Sequence, residues 1–241
     1  MRSAVGKEKN MSVYCISNIH GDYESYREML RKIKFCDRDT LYVIGNVVDI
    51  GSGSLKILRD MMMRINVIPI IGDHEYMATR CLKYIMECKT HKRVAPDNDM
   101  AREIVDWHAA GGQSTIDEFH KLSEEEQEDI IDYLEEFSLY EEIEVKGKDY
   151  VLVHGGFADF DPDRDLDDYH IDDVLFTVPD YSKVYFEDKI LVTARELTSS
   201  IKDNPVPDRI YKGNNHIAIN CGTWKNLAAV CLDNGEEFYL N

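Results

Sequence analysis

Apolar residues in the first third of the chain follow two periodicities. Short continuous runs predict buried strands, and recurrence every three to four residues predicts helices between them. The predicted strands are residues 13–17, 41–44 and 67–71, and the predicted helices lie around residues 26–33 and 54–64. Strands that alternate with helices in this way indicate βαβ units with parallel strands.

The pattern changes twice beyond residue 75. Residues 75–137 read as mostly helical, and Ser123 with Glu126 has the spacing of a capping box. The rest of the chain is rich in strands, predicted as a hairpin of 139–145 with 150–153 and then at 190–193, 216–220, 227–232 and 237–240. We therefore predict a single domain over residues 11–241 with a helical insertion at about 76–137, preceded by a polar leader or tag at 1–10.

Composition narrows the range of partners and compartments. The chain has 241 residues and a formal net charge of −18, which repels a polyanion at long range. No basic residues cluster along the sequence, so nucleic acid is not an expected partner. No apolar run approaches the roughly 18 residues of a membrane helix, so a membrane is not expected either. The six cysteines are scattered without a CxxC pair, which favours a reducing cytoplasm.

Polar side chains gather where the predicted strands end. The four segments are Asn18-x-His20, Gly45-Asn46-x-x-Asp49, Gly72-Asp73-His74-Glu75 and His154-Gly155-Gly156. In open α/β sheets, ligands sit beyond the carboxyl ends of the strands. We therefore expect these segments to converge on one cleft.

Together the four segments resemble the calcineurin-like metallophosphoesterases, most nearly the bacterial and phage members of the serine/threonine protein phosphatase family. That family reads D-x-H-G-D, G-D-x-x-D-R-G, G-N-H-E, V-H-A-G and G-H-T in this order. Further landmarks are Trp107, Gly111-Gly112, Thr115 and Asn220-Cys221-Gly222. The resemblance implies an α/β fold, a four-layer sandwich of two mixed sheets flanked by helices, with a helical cap insertion.

The resemblance also implies a pair of metal ions, either manganese, iron or zinc, that clamp a phosphate and activate a water. The metal positions matched in this chain are Asn18, His20, Asn46, Asp73 and His154. Asn18 and Asn46 replace family aspartates, the second of them bridging, and Asp73 replaces a family asparagine. The last ligand histidine aligns with Arg195, whose guanidinium stays protonated and cannot coordinate.

The positions matched to the family's phosphate-binding arginines carry other residues in this chain, whereas those matched to its proton donor carry the same residues. Ile50 stands where the family has a phosphate-binding arginine, and residues 175–178 lack the second one. His74 matches the general acid and Asp49 the carboxylate that orients it. Because Arg195 brings a positive charge beside Asp73, we predict an ion pair between them in place of a metal.

These departures leave two main functional readings. The favoured one is a pseudophosphatase with a binding or regulatory role, which takes no cofactor or one weakly bound divalent metal on Asp73, His154 and Asn46. The alternative is an active phosphoesterase with a remodelled metal site, acting on phosphoproteins or nucleotides. A laboratory-inactivated enzyme is disfavoured because the changes run in too many chemical directions. Expected partners are a protein or a small phosphate-bearing ligand.

Overall fold

The computed structural model describes residues 11–90, 95–223 and 226–240. The leader or tag predicted at residues 1–10 lies outside the described residues. Within them, the chain forms two mixed five-stranded sheets with helices outside, as the resemblance implied. No helix in this part of the chain is both long enough and apolar enough to span a bilayer.

The first sheet contains the three strands predicted at the start of the chain. In spatial order it is β10 (Glu237–Tyr239), β9 (Ala228–Cys231), β1 (Val13–Ile16), β2 (Thr40–Ile44) and β3 (Val67–Ile70). β1, β2 and β3 are parallel, whereas β9 runs antiparallel to β1. The carboxyl ends of β1, β2 and β3 therefore share one edge of the sheet, which is the geometry that the βαβ pattern predicted.

The second sheet is built from the β-rich half of the chain. Its order is β4 (Tyr140–Val145), β5 (Lys148–Val153), β6 (Lys189–Thr193), β8 (His216–Ala218) and β7 (Tyr211–Gly213). β4 and β5 form the predicted hairpin, and Lys146 and Gly147 both have the positive φ of a tight two-residue turn. β7 was missed from the sequence, and β8 ends two residues before its predicted limit.

Seven α-helices are found in the described residues: α1 (Tyr23–Lys32), α2 (Ser54–Met62), α3 (Asp73–Thr90), α4 (Asn98–Ala109), α5 (Gln113–Phe119), α6 (Glu124–Glu135) and α7 (Ile171–Leu175). α3 to α6 fill the stretch predicted as helical, and α6 begins with the predicted capping box. Their buried side chains, such as Trp107 and Phe119, belong to the same apolar cluster as the outer face of the first sheet.

Two apolar layers hold the sheets in place. Between the sheets, side chains of both interdigitate, among them Ile44, Ile70, Leu152 and Val192. A separate cluster around Phe157 covers the far face of the second sheet. Each sheet is therefore covered on both faces, and the polar site is left to the edge where the strands end.

Candidate functional site

The loops after β1 and β2 carry much of the site and have unusual backbone geometry. Asn18, His20, Asn46, Asp49 and Ile50 all have φ between 47° and 73°. Asparagine and aspartate tolerate this region, but a β-branched residue such as Ile50 is strained there. The loops also pass very close to one another, since a Cβ on Gly45 would lie 2.6 Å from both Gly72 Cα and His154 Nδ1.

A buried carboxylate joins the loop after β2 to the loop after β3. Glu75 accepts hydrogen bonds from four backbone N–H groups, at 2.7 to 3.0 Å, those of Asn46, Val47, Val48 and Gly72. It is fully buried in the first turn of α3. The sequence placed Glu75 in a motif but assigned it no role. Its role here is structural, because its oxygens are occupied by the backbone of the loop after β2.

His74 and Asp49 form the pair matched to the family's proton donor. His74 Nδ1 lies 2.8 Å from Asp49 Oδ2, which also accepts from Trp107 Nε1 at 2.9 Å. Thr115 Oγ1 donates to Asp49 Oδ1 at 2.6 Å. Trp107 and Thr115 thus orient the carboxylate, a function that the sequence did not assign to them. Burial lowers the pKa of His74, but the hydrogen bond and charge of Asp49 outweigh it, so the pKa is raised.

Two amides occupy the positions where the family has metal-binding carboxylates. Asn46 Nδ2 donates to Asn18 Oδ1 at 3.2 Å, and Asn18 Nδ2 donates to the Ala194 carbonyl at 2.7 Å. Asn46 Oδ1 in turn accepts a long bond of 3.4 Å from the His74 backbone. Both amides are buried, and they form hydrogen bonds with each other and with the protein backbone.

Asp73, His154 and Arg195 meet beside these amides. His154 Nε2 is 3.2 Å from Asp73 Oδ1, and Arg195 Nε is 3.6 Å from Asp73 Oδ2. The predicted neighbours Asp73 and Arg195 are thus in ion-pair contact, but the Arg195 side chain is partly exposed and His154 lies nearer to Asp73. Burial alone raises the pKa of Asp73, but His154, His74 and Arg195 outweigh it and hold the pKa well below its usual range.

His20 completes the cleft. Its ring packs edge-on against His74 with centroids 4.6 Å apart, and its Nδ1 lies 3.2 Å from the Val48 carbonyl. Burial and the neighbouring His74 lower the pKa of His20 to about 4, so the ring is neutral near pH 7. Ile50 is half exposed at the mouth of the cleft and packs near Gly111. All nine residues selected from the sequence therefore lie in or beside one region.

The donor set does not fit a dinuclear metal centre. Such a centre needs anionic ligands, and its two key carboxylates are here amides bonded to each other. In the part of the chain that the structure describes, no group of three or more His, Cys, Asp and Glu side chains is arranged to hold a metal ion. Asp73 Oδ1 and His154 Nε2 have no hydrogen-bond partner, so a partial donor pair remains.

The fold and these motif positions define a class of protein. The family model for calcineurin-like phosphoesterases matches residues 11–222, and the chain belongs to that family. The family resemblance drawn from the motifs is thereby confirmed, and the order of the motifs is that of the serine/threonine protein phosphatase type.

Curated relatives share part of the chain. A symmetrical bis(5'-nucleosyl)-tetraphosphatase from Delftia acidovorans is 32% identical over 104 residues, which cover 40% of this chain and 36% of that protein. The enzyme of the same name from Cronobacter sakazakii is 30% identical over 116 residues, covering 46% and 41% respectively. The matched region thus spans less than half the length of these relatives.

Solved structures support the fold. A protein assigned as a diadenosine tetraphosphatase superposes with a TM-score of 0.61 at 14% identity, covering 96% of this chain and 93% of its own. A protein serine/threonine phosphatase from Saccharomyces cerevisiae gives a TM-score of 0.56 at 12% identity, covering 94% and 74%. At these identities the likeness establishes the architecture alone.

Proposed function

We propose that this chain is a pseudophosphatase that binds a phosphate-bearing ligand in its cleft without hydrolysing it. The observation that carries the proposal is the hydrogen bond between the Asn46 and Asn18 amides, at the positions where the family holds its metals. Two amides cannot neutralise two divalent cations, and here they already satisfy each other.

The charges in the cleft support the same conclusion. The carboxylates of Glu75 and Asp49 are engaged by backbone, His74, Trp107 and Thr115 donors. Asp73 is the remaining carboxylate of the matched motifs, and it faces both His154 and Arg195. Arg195 therefore places a guanidinium charge where the family has a neutral histidine ligand, which disfavours a metal ion there and offers a contact to an anion.

The Arg195 guanidinium is the natural anchor for such a ligand. Its side chain is 28% exposed, so a ligand can reach part of it, while its Nε faces Asp73 Oδ2 at 3.6 Å. A guanidinium matches phosphate oxygens in geometry as well as charge. The curated relatives are named for tetraphosphate substrates, so diadenosine tetraphosphate is a suitable probe.

Metal analysis combined with a rate assay tests the proposal. We expect fewer than two bound metal ions per chain after incubation with manganese, and background hydrolysis of p-nitrophenyl phosphate and diadenosine tetraphosphate. Calorimetry should nevertheless detect tetraphosphate binding that weakens in Arg195→Gln. Two tightly bound ions, or turnover that disappears in His74→Ala, would refute the proposal.

The alternative is an active phosphoesterase that works with a single metal. The observation in its favour is that Asp73 Oδ1 and His154 Nε2 lie 3.2 Å apart without hydrogen-bond partners, next to a retained His74–Asp49 pair. These residues would then hold one divalent ion, which would act as a Lewis acid towards phosphate. One manganese per chain, with turnover lost in both His154→Ala and His74→Ala, would favour this reading.

A further inference from the structure

A basic pocket lies away from the candidate site. This pocket, which we call the α1 pocket, has a volume of about 370 Å³ and is lined by Arg27, Leu30, Arg31, Lys34, Phe35 and Arg64. Four of the six lining residues are cationic and none is acidic, although the chain has 46 acidic residues against 28 basic ones. Such a concentration of positive charge is unexpected on this chain.

The α1 helix gives the pocket a defined shape. Arg27, Arg31 and Lys34 follow one another at spacings of four and three residues, so they project from one side of α1 and its end. Lys34 adopts φ of 53°, its N–H bonds to the Arg31 carbonyl and the Phe35 N–H bonds to the Leu30 carbonyl. This is a Schellman motif, which brings the apolar side chains of residues 30 and 35 together.

Arg64 closes the opposite side of the pocket. It follows α2, and Asp60 holds its guanidinium through bonds of 2.7 Å to Nε and 3.2 Å to Nη2. Its orientation is therefore fixed before any ligand arrives. Among the described residues, no carboxylate lies in ion-pair contact with Arg27 or Arg31, so their charges are available to a ligand.

The α1 pocket is distinct from the cleft. α1 begins beside the cleft, just after the loop of Asn18 and His20, and its ten residues carry the chain about 15 Å away. Arg64 precedes β3, whereas Asp73 and His74 of the cleft follow it. Both observations place the pocket at the amino ends of the parallel strands.

We propose that the α1 pocket binds a nucleoside polyphosphate. Arg27 and Arg31 supply charge-assisted donors for phosphate groups, and Arg64, held by Asp60, adds a third guanidinium. Leu30 and Phe35 provide an apolar and aromatic floor against which a base can pack. The volume is in the range of small-ligand sites and too small for a macromolecule to enter.

The individual cations of the α1 pocket also have simpler structural explanations. Positive charge at the end of α1 complements the helix dipole, and Arg64 pairs with Asp60. Neither reason accounts for four cations around a shared apolar floor. The structural and the binding readings therefore make different predictions when ligand is added.

Calorimetry with ADP, pyrophosphate and adenosine as probes tests the proposal on the full chain. ADP should bind, pyrophosphate should bind more weakly and adenosine should not bind. The double variant Arg27→Gln/Arg31→Gln should weaken ADP binding at least about tenfold, since each lost charge-assisted bond contributes strongly. Arg102→Gln, an exposed arginine on α4, is the matched control and should bind as the parent does.

The location of binding is measured separately by chemical-shift mapping. ADP should perturb the backbone amides of residues 30–35 and 64, and the thermal melts of the variants should match the parent. Perturbations confined to residues 45–50 and 73–75 would place ADP in the cleft and overturn the proposal. Equal ADP affinity in the parent and the double variant, ADP binding no tighter than pyrophosphate, or binding only to long polyanions would also overturn it.

Discussion

At the scale of single residues, the main feature of this cleft is that side chains at the matched metal positions contact one another and the protein. Amides replace two carboxylates and bond to each other, while Arg195 brings a cation to Asp73. The sequence could identify each replaced position because the motifs stand in fixed order. It could not foresee the amide network, since Asn18 bonds to a carbonyl 176 residues away in sequence.

The coupling between Asp73 and Arg195 can be measured in a double-mutant cycle. We expect Asp73→Asn to destabilise the fold more than Arg195→Ala, because Asp73 also faces His154. The coupling free energy should be only about 1 kcal/mol, since the 3.6 Å contact is loose and Arg195 is partly exposed to solvent. Urea unfolding of the two single variants and the double variant gives this value.

Additive effects would show that the two side chains do not interact in solution. Arg80→Ala with Glu103→Gln is a useful comparison, because that ion pair bridges α3 and α4 far from the cleft motifs.

His216 should make the fold sensitive to mild acid. Its ring stacks on Tyr181 with centroids 4.7 Å apart, and burial lowers its pKa from 6.5 to about 3. Below about pH 6.5 the unfolded chain takes up a proton that the folded chain refuses, so stability falls as the pH decreases. Between about pH 7 and pH 5, this one residue can lower the free energy of unfolding by up to about 2 kcal/mol.

Urea unfolding across that pH range checks the expectation. His216→Gln should flatten the loss of stability between pH 7 and pH 5, whereas His120→Gln, at an exposed position, controls for removal of a histidine. An unchanged pH dependence in His216→Gln would show that the ring does not resist protonation in the fold.

At the scale of secondary structure, local signals predicted most of what the structure contains. The strands of the first sheet and the β4–β5 hairpin were found because their apolar runs are bounded by turn residues. β7 was missed because a three-residue strand, Tyr211–Gly213, is too short to show a periodicity. β8 was predicted too long because Ile219 and Asn220 remain apolar or buried after leaving the sheet.

The capping box of α6 provides a prediction at this scale. Ser123 accepts from the Glu126 N–H at 3.3 Å, and Glu126 Oε2 accepts from the Ser123 N–H at 2.9 Å. Ser123→Ala should cost about 1 kcal/mol of stability, because it leaves one helix N–H without its partner. Thermal and urea unfolding of Ser123→Ala measure this cost.

Ser199→Ala is a suitable control, because Ser199 is exposed and caps no helix. A loss of stability in Ser123→Ala no larger than in Ser199→Ala would mean that water replaces the serine hydroxyl as hydrogen-bond acceptor at the start of α6.

At the scale of the whole molecule, the family fold is present while several residues at the matched positions differ from the family motifs. The two sheets are joined by an apolar layer that contains no cleft residue. The α1 pocket is also a whole-molecule property, since Arg64 joins the α1 cations only when α1 and α2 pack together. Arg27, Arg31 and Lys34 lie within eight residues of one another in the sequence, so this local basic group was missed there, and only the addition of Arg64 required the structure.

Because the altered positions lie outside the apolar clusters that hold the sheets and helices together, reversing them should produce a catalytic site on the same fold. The set is Asn18→Asp, Asn46→Asp, Ile50→Arg, Asp73→Asn and Arg195→His. We expect this variant to bind two manganese ions and to hydrolyse p-nitrophenyl phosphate at least about 100-fold faster than the parent, the usual scale of a proton donor working with metals. Metal analysis and initial rates provide the measurement.

Adding His74→Ala to the five changes is the control, and it should abolish the gained rate. A five-fold variant that folds and binds two metals, yet stays at background, would show that something beyond these positions blocks the chemistry.

The hydrogen bonds of Glu75 affect how the cleft responds when a ligand binds. The Glu75 carboxylate binds three backbone N–H groups of the loop after β2 and the N–H of Gly72 after β3, so it holds the two loops in one arrangement. The cleft is thus preorganised, and an arriving ligand does not spend its interaction energy on ordering a loop. A modest number of contacts can then produce a useful affinity, and free and bound backbones should superpose closely around residues 45–50.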